Sequence, residues 1–466
     1  MFRMIGMTVL AGVAILAAAM PAVLAPAAST LAGASPAGYP GTAPTGYTGA
    51  ATDWYGGGIK MDPGDWPQWR GPLRDGVSTE TGLLDSWPKD GPLLAWRLTG
   101  LGNGLATPIT FKGHLYVPGE IQGGVYLQCF DLATRQLVWK CRIPGASSDP
   151  GGSPAIDGDA LFGQTHDGTN YCISLDGQLR WTRSNPRDFG GSLMNPQYQF
   201  AQTPLVDGDR VIVNPGGKEA CVVALDRKTG ATIWKIPASE TGGPKGEAKG
   251  GRKGEDRAAF SSAVITEGGG MKHYVFLVGN GLIGIRPKDG KVLWTFDNHR
   301  GEANIPTPSV RGDYVFCCNS YSGGTCLLKL SPDGAGGVKA EKVYYQSGDH
   351  YQNLCGGSVV VGNYAYTGTG GYSANPHCYD LMTGKIMWQH GEVGTGVAGL
   401  TYADGKLFFR AEGGQVSMIA ATPQGYQLLG AFKYQAGGNY SHPVVSHGLL
   451  LTRQKDELRA YDIRKH

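Results

Sequence analysis

Apolar and polar residues in this chain follow a short pattern that recurs along the sequence. An apolar run ends in aspartate, a polar turn with threonine, glycine or both follows, and a tryptophan lies eight residues after the aspartate. Clear copies begin at Asp131, Asp226 and Asp380, and another begins at Arg286 in place of aspartate. Aspartate caps such turns, and the flanking β-branched and aromatic residues favour strands, so each copy predicts a β-hairpin.

Each hairpin follows another pair of predicted strands, which usually opens with a small residue and proline, as at Thr107-Pro108 and Thr203-Pro204. A large aromatic residue at the same place in every repeat suits packing between neighbouring sheets. The repeat is about 47 residues long, which is typical of four-stranded propeller blades. The repeated tryptophans are Trp96, Trp139, Trp181, Trp234, Trp294 and Trp388.

The two ends of the repeat region indicate how the blades close into a ring. The last repeat stops at Tyr461–His466, before its outer strand, and an apolar stretch at Leu93–Trp96 is available to supply that strand. Completing the sheet in this way leaves no unpaired gap between the first and last blades. We therefore expect an all-β fold, an eight-bladed β-propeller of four-stranded antiparallel blades, in which an N-terminal strand around Trp96 completes the C-terminal blade.

Composition agrees with many short strands joined by tight turns. Glycine accounts for 75 of the 466 residues, and charged residues make up 17%. Apolar residues reach 41%, which is enough for a large core and excludes wholesale disorder. The net charge is only +3, without the basic patch of a nucleic-acid-binding protein, so we expect no nucleic acid partner.

The N-terminal part of the chain differs from the repeats. No charged residue occurs between Arg3 and Asp53, and an apolar run followed by small residues predicts a signal peptide at 1–28. An uncleaved membrane anchor is the alternative. A Gly/Pro/Ala/Thr linker at 29–62, predicted to be disordered, and an N-terminal extension at 63–90 precede the propeller at 91–466, which carries a flexible insertion at 239–257. We therefore expect an exported protein of the periplasm or cell envelope.

The Asp-x-x-Thr-Gly-x-x-x-Trp repeat resembles the PQQ-like, or tryptophan-docking, β-propeller repeat. That family includes the BamB-type outer-membrane assembly factors and the quinoprotein alcohol dehydrogenases, both eight-bladed. The segment Asp65–Gly76, which reads DWPQWRGPLRDG, is similar to the start of exported PQQ-like propeller proteins of the planctomycete type. The resemblance implies the fold, and it leaves open whether the protein binds a partner or oxidises a substrate.

Two features bear on a quinone cofactor. The adjacent pair Cys317 and Cys318 resembles the vicinal disulfide of the quinoprotein alcohol dehydrogenases, but successive strand residues point to opposite faces, so we expect two separate packing thiols. The same resemblance implies a Ca²⁺ cluster of Glu, Asn and Asp, for which Glu302, Asn304 and Asp313 lie close in sequence without a family motif around them. We expect no metal and no cofactor, with PQQ and Ca²⁺ only under the dehydrogenase alternative.

Candidate ligand-binding residues lie in the connections between blades, which meet at the axis of a propeller and carry its variable chemistry. These connections contain amides, imidazoles and charged groups, although ordinary solvated turn residues would have the same composition. The candidates are His299, Arg300, Glu302, Asn304, His350 and Asn353.

The sequence favours a monomeric, exported binding or scaffolding module for a protein or cell-envelope component, without catalytic residues. One alternative is a PQQ-dependent alcohol dehydrogenase. A second is a carbohydrate-binding or lyase propeller, indicated by Tyr198, Tyr351, Tyr372 and Tyr440. A membrane tether is expected only if the signal peptide is not cleaved.

Overall fold

The computed structural model describes residues 61–465, apart from residues 147–149, 196–197, 243–256, 298–302, 320–322, 356, 370–373, 392 and 435–439. The signal peptide predicted at 1–28 and nearly all of the linker predicted at 29–62 lie outside the described residues. Within the described part, no helix has the length and apolar character needed to cross a membrane.

The strands form eight separate sheets of four antiparallel strands each, as the repeat predicts. The sheets are numbered as blades 1 to 8 along the chain. Blade 1 contains β2 (Ile109–Phe111), β3 (His114–Ile121), β4 (Gly124–Asp131) and β5 (Leu137–Arg142), and blade 2 contains β6 (Ala155–Asp157), β7 (Ala160–Gln164), β8 (Thr169–Ser174) and β9 (Leu179–Ser184). Blade 3 contains β10 (Leu205–Asp207), β11 (Arg210–Val213), β12 (Val222–Asp226) and β13 (Thr232–Ile236). Blade 4 contains β14 (Val264–Thr266), β15 (His273–Val278), β16 (Gly281–Ile285) and β17 (Val292–Phe296).

The second half of the ring repeats this arrangement. Blade 5 contains β18 (Ser309–Arg311), β19 (Tyr314–Cys318), β20 (Thr325–Pro332) and β21 (Val338–Gln346), and blade 6 contains β22 (Ser358–Val361), β23 (Tyr364–Thr369), β24 (Asn375–Asp380) and β25 (Ile386–Gln389). Blade 7 contains β26 (Ala398–Ala403), β27 (Lys406–Ala411), β28 (Gln415–Ala420) and β29 (Leu428–Lys433). Blade 8 contains β30 (Val444–Ser446), β31 (Leu449–Gln454) and β32 (Glu457–Asp462), together with β1 (Leu93–Leu98) from the N-terminal side. One short α-helix (α1, Asn185–Phe189) and 3₁₀ turns at Ala238–Glu240, Gly268–Gly270 and Asp349–Tyr351 complete the described secondary structure.

The N-terminal strand closes the ring. β1 pairs antiparallel with β32, in the register Leu93 to Asp462 and Leu98 to Leu458, and the sheet order of blade 8 is β1-β32-β31-β30. The expected closure by the strand around Trp96 is therefore confirmed.

The repeat aspartate caps the hairpin turn between the third and fourth strands of a blade. In blade 3, Asp226 Oδ1 accepts hydrogen bonds from Thr229 N (2.8 Å) and Thr229 Oγ1 (2.7 Å), and these bonds lower the pKa of Asp226. Asp131 and Asp380 make the same pair of bonds to Thr134 and Thr383. In blade 4, where arginine replaces the aspartate, an ion pair between Arg286 and Asp289 ties the turn together instead.

In blades 1, 2, 3 and 6 the repeat tryptophan donates a hydrogen bond to the next blade. Trp181 Nε1 donates to the carbonyl of Arg227 at 2.9 Å, and the indole packs on Gly230 in the same turn of the next blade. Trp139, Trp234 and Trp388 make the equivalent bonds to Leu175, Pro287 and Thr422. In blade 5 the tyrosine Tyr344 takes this position, with its hydroxyl bonded to the carbonyl of Leu381.

The core lies between neighbouring blades, and the adjacent thiols show the alternation of a strand. Cys317 packs with Trp294 and Cys326 on one face of β19, whereas Cys318 packs with Tyr379 on the other face. All nine cysteines lie among the described residues, and none of them forms a disulfide. The two thiols are separate packing residues, as expected.

Candidate functional site

The predicted N-terminal extension contains a segment that fills the centre of the ring. This segment, residues 65–78, is called the leader below. Trp66 and Thr110 of blade 1 exchange main-chain hydrogen bonds of 3.0 Å, and Ile156 N of blade 2 donates to Pro67 O at 2.9 Å. Further along, Ser78 N donates to Tyr402 O of blade 7 at 2.8 Å. The leader thus lies along the innermost strands of the blades.

Two buried arginines hold the leader in the channel. Arg74 donates to the carbonyl oxygens of Ala263 (3.1 Å), Thr203 (2.9 Å) and Pro204 (3.1 Å), at the openings of blades 4 and 3. Arg70 donates to the carbonyl of Ser358 in blade 6. Burial lowers the pKa of Arg70 to about 10. Backbone carbonyl oxygens therefore accept the hydrogen bonds that water would accept from these guanidinium groups at the surface.

Trp69 and Ser78 make hydrogen bonds to the two remaining blades, 5 and 8. Trp69 Nε1 donates to Thr307 Oγ1 at 3.0 Å, just before blade 5, and Ser78 Oγ donates to Val445 O of blade 8 at 2.9 Å. The leader therefore makes a hydrogen bond to every blade of the ring.

A cavity of about 440 Å³ lies over Trp69, where the connections between blades meet; we call it the axial cavity. In each antiparallel blade, the connection to the next blade and the turn between strands two and three share one face, and the cavity opens on that face. Its lining is Trp69, Leu105, Gly151, Ser153, His166, Tyr198, Gln199, Ala201, Thr203, Phe260, Ser262, Ile305, Thr307, Leu354, Cys355, Val397, Glu412 and Tyr440.

Aromatic groups in this lining come from separate segments of the chain. Trp69 belongs to the leader, whereas Tyr198, Phe260 and Tyr440 belong to three different connections. Tyr198 and Phe260 pack edge to face, with ring centroids 5.6 Å apart. Tyr198 is 39% exposed and Tyr440 is 42% exposed, so both tyrosines are accessible at the rim.

Charge is sparse around the axial cavity. Glu412 is its one carboxylate among the described lining residues, and Val397 N donates to Glu412 Oε2 at 3.4 Å. Burial, with a smaller effect of the negative charge of Glu412, raises the pKa of the Cys355 thiol to about 12. Trp69 packs on His442, with ring centroids 4.4 Å apart. Burial, reinforced by the positive charges of Arg70 and Arg410, lowers the pKa of His442 to about 3.

The predicted ligand-binding residues fall into two groups. His299, Arg300 and Glu302 lie outside the described residues. Asn304, Asn353 and His350 are described, but they are not part of the cavity lining.

The two asparagines serve the backbone of the connections. Asn304 is fully buried, donates to Val278 O at 2.6 Å and accepts from Asn319 Nδ2 at 2.8 Å, while Asn353 donates to Gly357 O at 2.7 Å. The apolar neighbours Ile305 and Leu354 line the cavity instead. His350 is exposed on a 3₁₀ turn, 6.3 Å from the ring of His377.

None of the three described candidates lines the axial cavity, although Ile305 and Leu354, the next residues after Asn304 and Asn353, do. Nothing in the sequence indicated Trp69, because the leader has no periodicity that would place it in the channel. The pairing of a buried asparagine with an apolar neighbour at these two positions was the signal that could have found Ile305 and Leu354.

The residues that a quinone and its Ca²⁺ would require are not brought together in the described part of the chain. Asn304 and Asp313 lie on either side of β18, and Asp313 Oδ1 accepts a hydrogen bond from Gly269 N at 2.8 Å in a turn on the other face. No group of three metal-binding side chains occurs among the described residues. The described lining also offers no lysine or arginine for the carboxylates of the quinone. These residues do not fit PQQ with Ca²⁺.

Comparison with known proteins identifies relatives by sequence and by fold. A family model described as "Outer membrane protein assembly factor BamB" matches residues 123–390, which is more than half of the chain. No curated protein sequence matches.

Solved structures of two functional classes share the fold. BamB from Moraxella catarrhalis aligns with a TM-score of 0.56 and 12% identity, over 80% of this chain and 99% of that chain. Quinohemoprotein alcohol dehydrogenase from Comamonas testosteroni aligns with a TM-score of 0.61 and 13% identity, over 89% of this chain and 82% of that chain. A europium-containing methanol dehydrogenase aligns with a TM-score of 0.60 and 14% identity, over 86% of this chain and 90% of that chain. At such identities the likeness concerns the fold alone.

Proposed function

The chain belongs to the family of the outer membrane protein assembly factor BamB, and we propose that it is a binding module of the cell envelope that holds a protein partner at its axial cavity. The predicted signal peptide at 1–28 and the family membership support this location. The protein would act as a scaffold and not as an enzyme.

The convergence of the blade connections on one cavity carries this proposal. The axial cavity lies against Trp69 of the leader, which Thr307 holds in place at the opening of blade 5. The cavity has a volume typical of ligand sites, a largely apolar lining and accessible tyrosines at its rim. Tyrosine and tryptophan are over-represented among the residues that dominate protein–protein binding energy.

Site-specific photo-crosslinking in living cells tests the proposal. The crosslinking amino acid p-benzoylphenylalanine replaces Tyr440 at the cavity rim, or Tyr345 on the outer strand of blade 5 as the control. The two tyrosines are equally accessible, at 42% and 39%. We expect a discrete protein adduct from position 440 and none from position 345. No adduct at 440, or the same adducts at both positions, would contradict a partner at the axial cavity.

A quinone-dependent dehydrogenase is the second candidate, favoured by the fold likeness to two alcohol dehydrogenases. It is tested by incubating the purified chain with PQQ and Ca²⁺, followed by gel filtration. Quinone absorbance that stays with the protein, together with dye-linked oxidation of an alcohol, would replace the scaffold proposal. The scaffold proposal expects neither.

A further inference from the structure

The aromatic groups of the axial cavity differ in their exposure. Phe260 is 9% exposed, Trp69 is partly buried, and Tyr198 and Tyr440 are exposed at the rim. Aromatic rings attract one another in edge-to-face and offset-stacked geometry beyond the effect of area burial. An incoming aromatic ring therefore finds aromatic partners in the lining, whereas an aliphatic group gains from burial alone.

The charge of the cavity lining disfavours anionic ligands. Glu412 is the one carboxylate among the described lining residues, and an anionic ligand would meet it in the wall. An uncharged aromatic group avoids this repulsion.

A buried hydroxyl in the lining adds an independent indication of a ligand. Ser153 is 1% exposed, lines the axial cavity, and its Oγ has no hydrogen-bond partner among the described residues. Buried polar groups are nearly always bonded, and an unbonded one costs free energy until a partner arrives. A polar atom of a bound segment would satisfy Ser153.

From these observations we propose that the axial cavity recognises an uncharged aromatic side chain of an extended protein segment, with Trp69 of the leader as a stacking partner. This inference rests on the proposed function and names the feature of the partner that is recognised. Trp69 acts here as a specificity residue supplied by a part of the chain outside the blades.

Fluorine NMR with model peptides tests the inference on the intact chain. The probe is an end-blocked heptapeptide, Gly-Ser-Gly-X-Gly-Ser-Gly, in which X is 4-fluorophenylalanine. We expect its ¹⁹F signal to broaden when the protein is added. The same peptide with Phe at X should displace the probe at concentrations about threefold to tenfold lower than the Leu peptide, and the Glu peptide should not displace it.

Matched variants show whether the probe binds at the axial cavity. Tyr440→Ala should weaken probe binding about fivefold, because a rim ring is lost, whereas Tyr345→Ala should leave it unchanged. Trp69→Leu should weaken binding further, and the melting temperature of this variant separates the loss of the indole from unfolding of the chain.

Several results would overturn the inference. They are equal displacement by the Leu and Phe peptides, displacement by the Glu peptide, stronger displacement by a neutral oligosaccharide such as chitotriose, or no probe binding at all. The crosslinking experiment uses the natural partner and is independent of the peptides. An adduct at position 440, combined with peptides that show no aromatic preference, would therefore refute only this inference. Absence of the adduct would refute the proposed function itself.

Discussion

Trp69 donates its indole N–H to the hydroxyl of Thr307 at 3.0 Å, across 238 positions of the sequence. One bond thus fixes a leader residue to the opening of blade 5, while the same indole ring lines the axial cavity. The residue that shapes the candidate site is therefore held by the propeller itself. The leader is part of the fold, and five predictions test this architecture.

Removing the Arg74 guanidinium should destabilise the whole ring. Arg74→Met leaves three carbonyl oxygens of blades 3 and 4 without their donor, which we expect to lower the free energy of unfolding by about 3 kcal/mol. Arg187→Met is the control, because the Arg187 side chain is 75% exposed. Urea unfolding measures both variants. Equal stability of the two would show that the leader contributes little.

Deleting residues 91–100 should affect the closed ring and not only its N-terminus. The deletion removes β1, exposes the edge of β32 and opens the seam between blades 8 and 1. We expect a lower melting temperature and faster amide exchange in both blades. A truncated protein that melts like the complete chain would be incompatible with this closure.

The packing of tryptophan on glycine should be measurable at Gly230. A Cβ at this position would lie 2.8 Å from the Trp181 ring, whereas a Cβ at Gly208 meets nothing within 4 Å, and both residues have positive φ. Gly230→Ala should therefore destabilise the protein by about 2 kcal/mol more than Gly208→Ala, which reports backbone strain alone. Thermal unfolding of the two variants measures this difference in stability. Similar losses would mean that the indole moves away at little cost.

The Asp75 carboxyl should make stability depend on pH. Burial raises its pKa to about 6 in the folded chain, from a usual value of 3.8. A raised pKa in the folded state means that the stabilising contribution is complete below pH 3.8 and is lost as the pH rises through 6. Asp75→Asn should therefore gain stability relative to the natural chain between pH 4 and pH 7.5.

Urea unfolding across this pH range measures the difference for Asp75→Asn. The same series for Asp209→Asn, an exposed carboxylate, is the control. A gain that does not change with pH would contradict the assignment to Asp75.

The thiols of β19 should behave as packing groups. Since no disulfide joins the nine cysteines, all of which are described, a reductant should leave the melting temperature unchanged. Changing Cys317 and Cys318 together to serine should cost about 2 kcal/mol, because two hydroxyls become buried in apolar surroundings. A fall in melting temperature on reduction would reveal a bond between them.

The repeat could be recognised in the sequence because its determinants are local. Asp226 bonds to a threonine three residues away, and alternating strand residues define the faces of each blade. The same local periodicity predicted eight blades and the missing strand of blade 8. It also predicted that Cys317 and Cys318 point apart.

The docking position in blade 5 shows the limit of such alignment. Blade 5 has no tryptophan at this position, and of its two adjacent tyrosines Tyr344 bonds to the next blade whereas Tyr345 is 39% exposed. A one-residue difference in a strand reverses the face of the side chain. Only the register of β21 on β20 settles which residue points inward.

The sequence by itself determined the blade repeat, the ring closure and the connections that meet at the axis. The tertiary structure decided the path of the leader and the lining of the axial cavity. Arg74 and Trp69 bond to residues more than a hundred positions away, and no periodic pattern encodes such contacts. Between blades 4 and 5, bonding of the Asn304 amide to buried carbonyls leaves its apolar neighbour Ile305 facing the cavity.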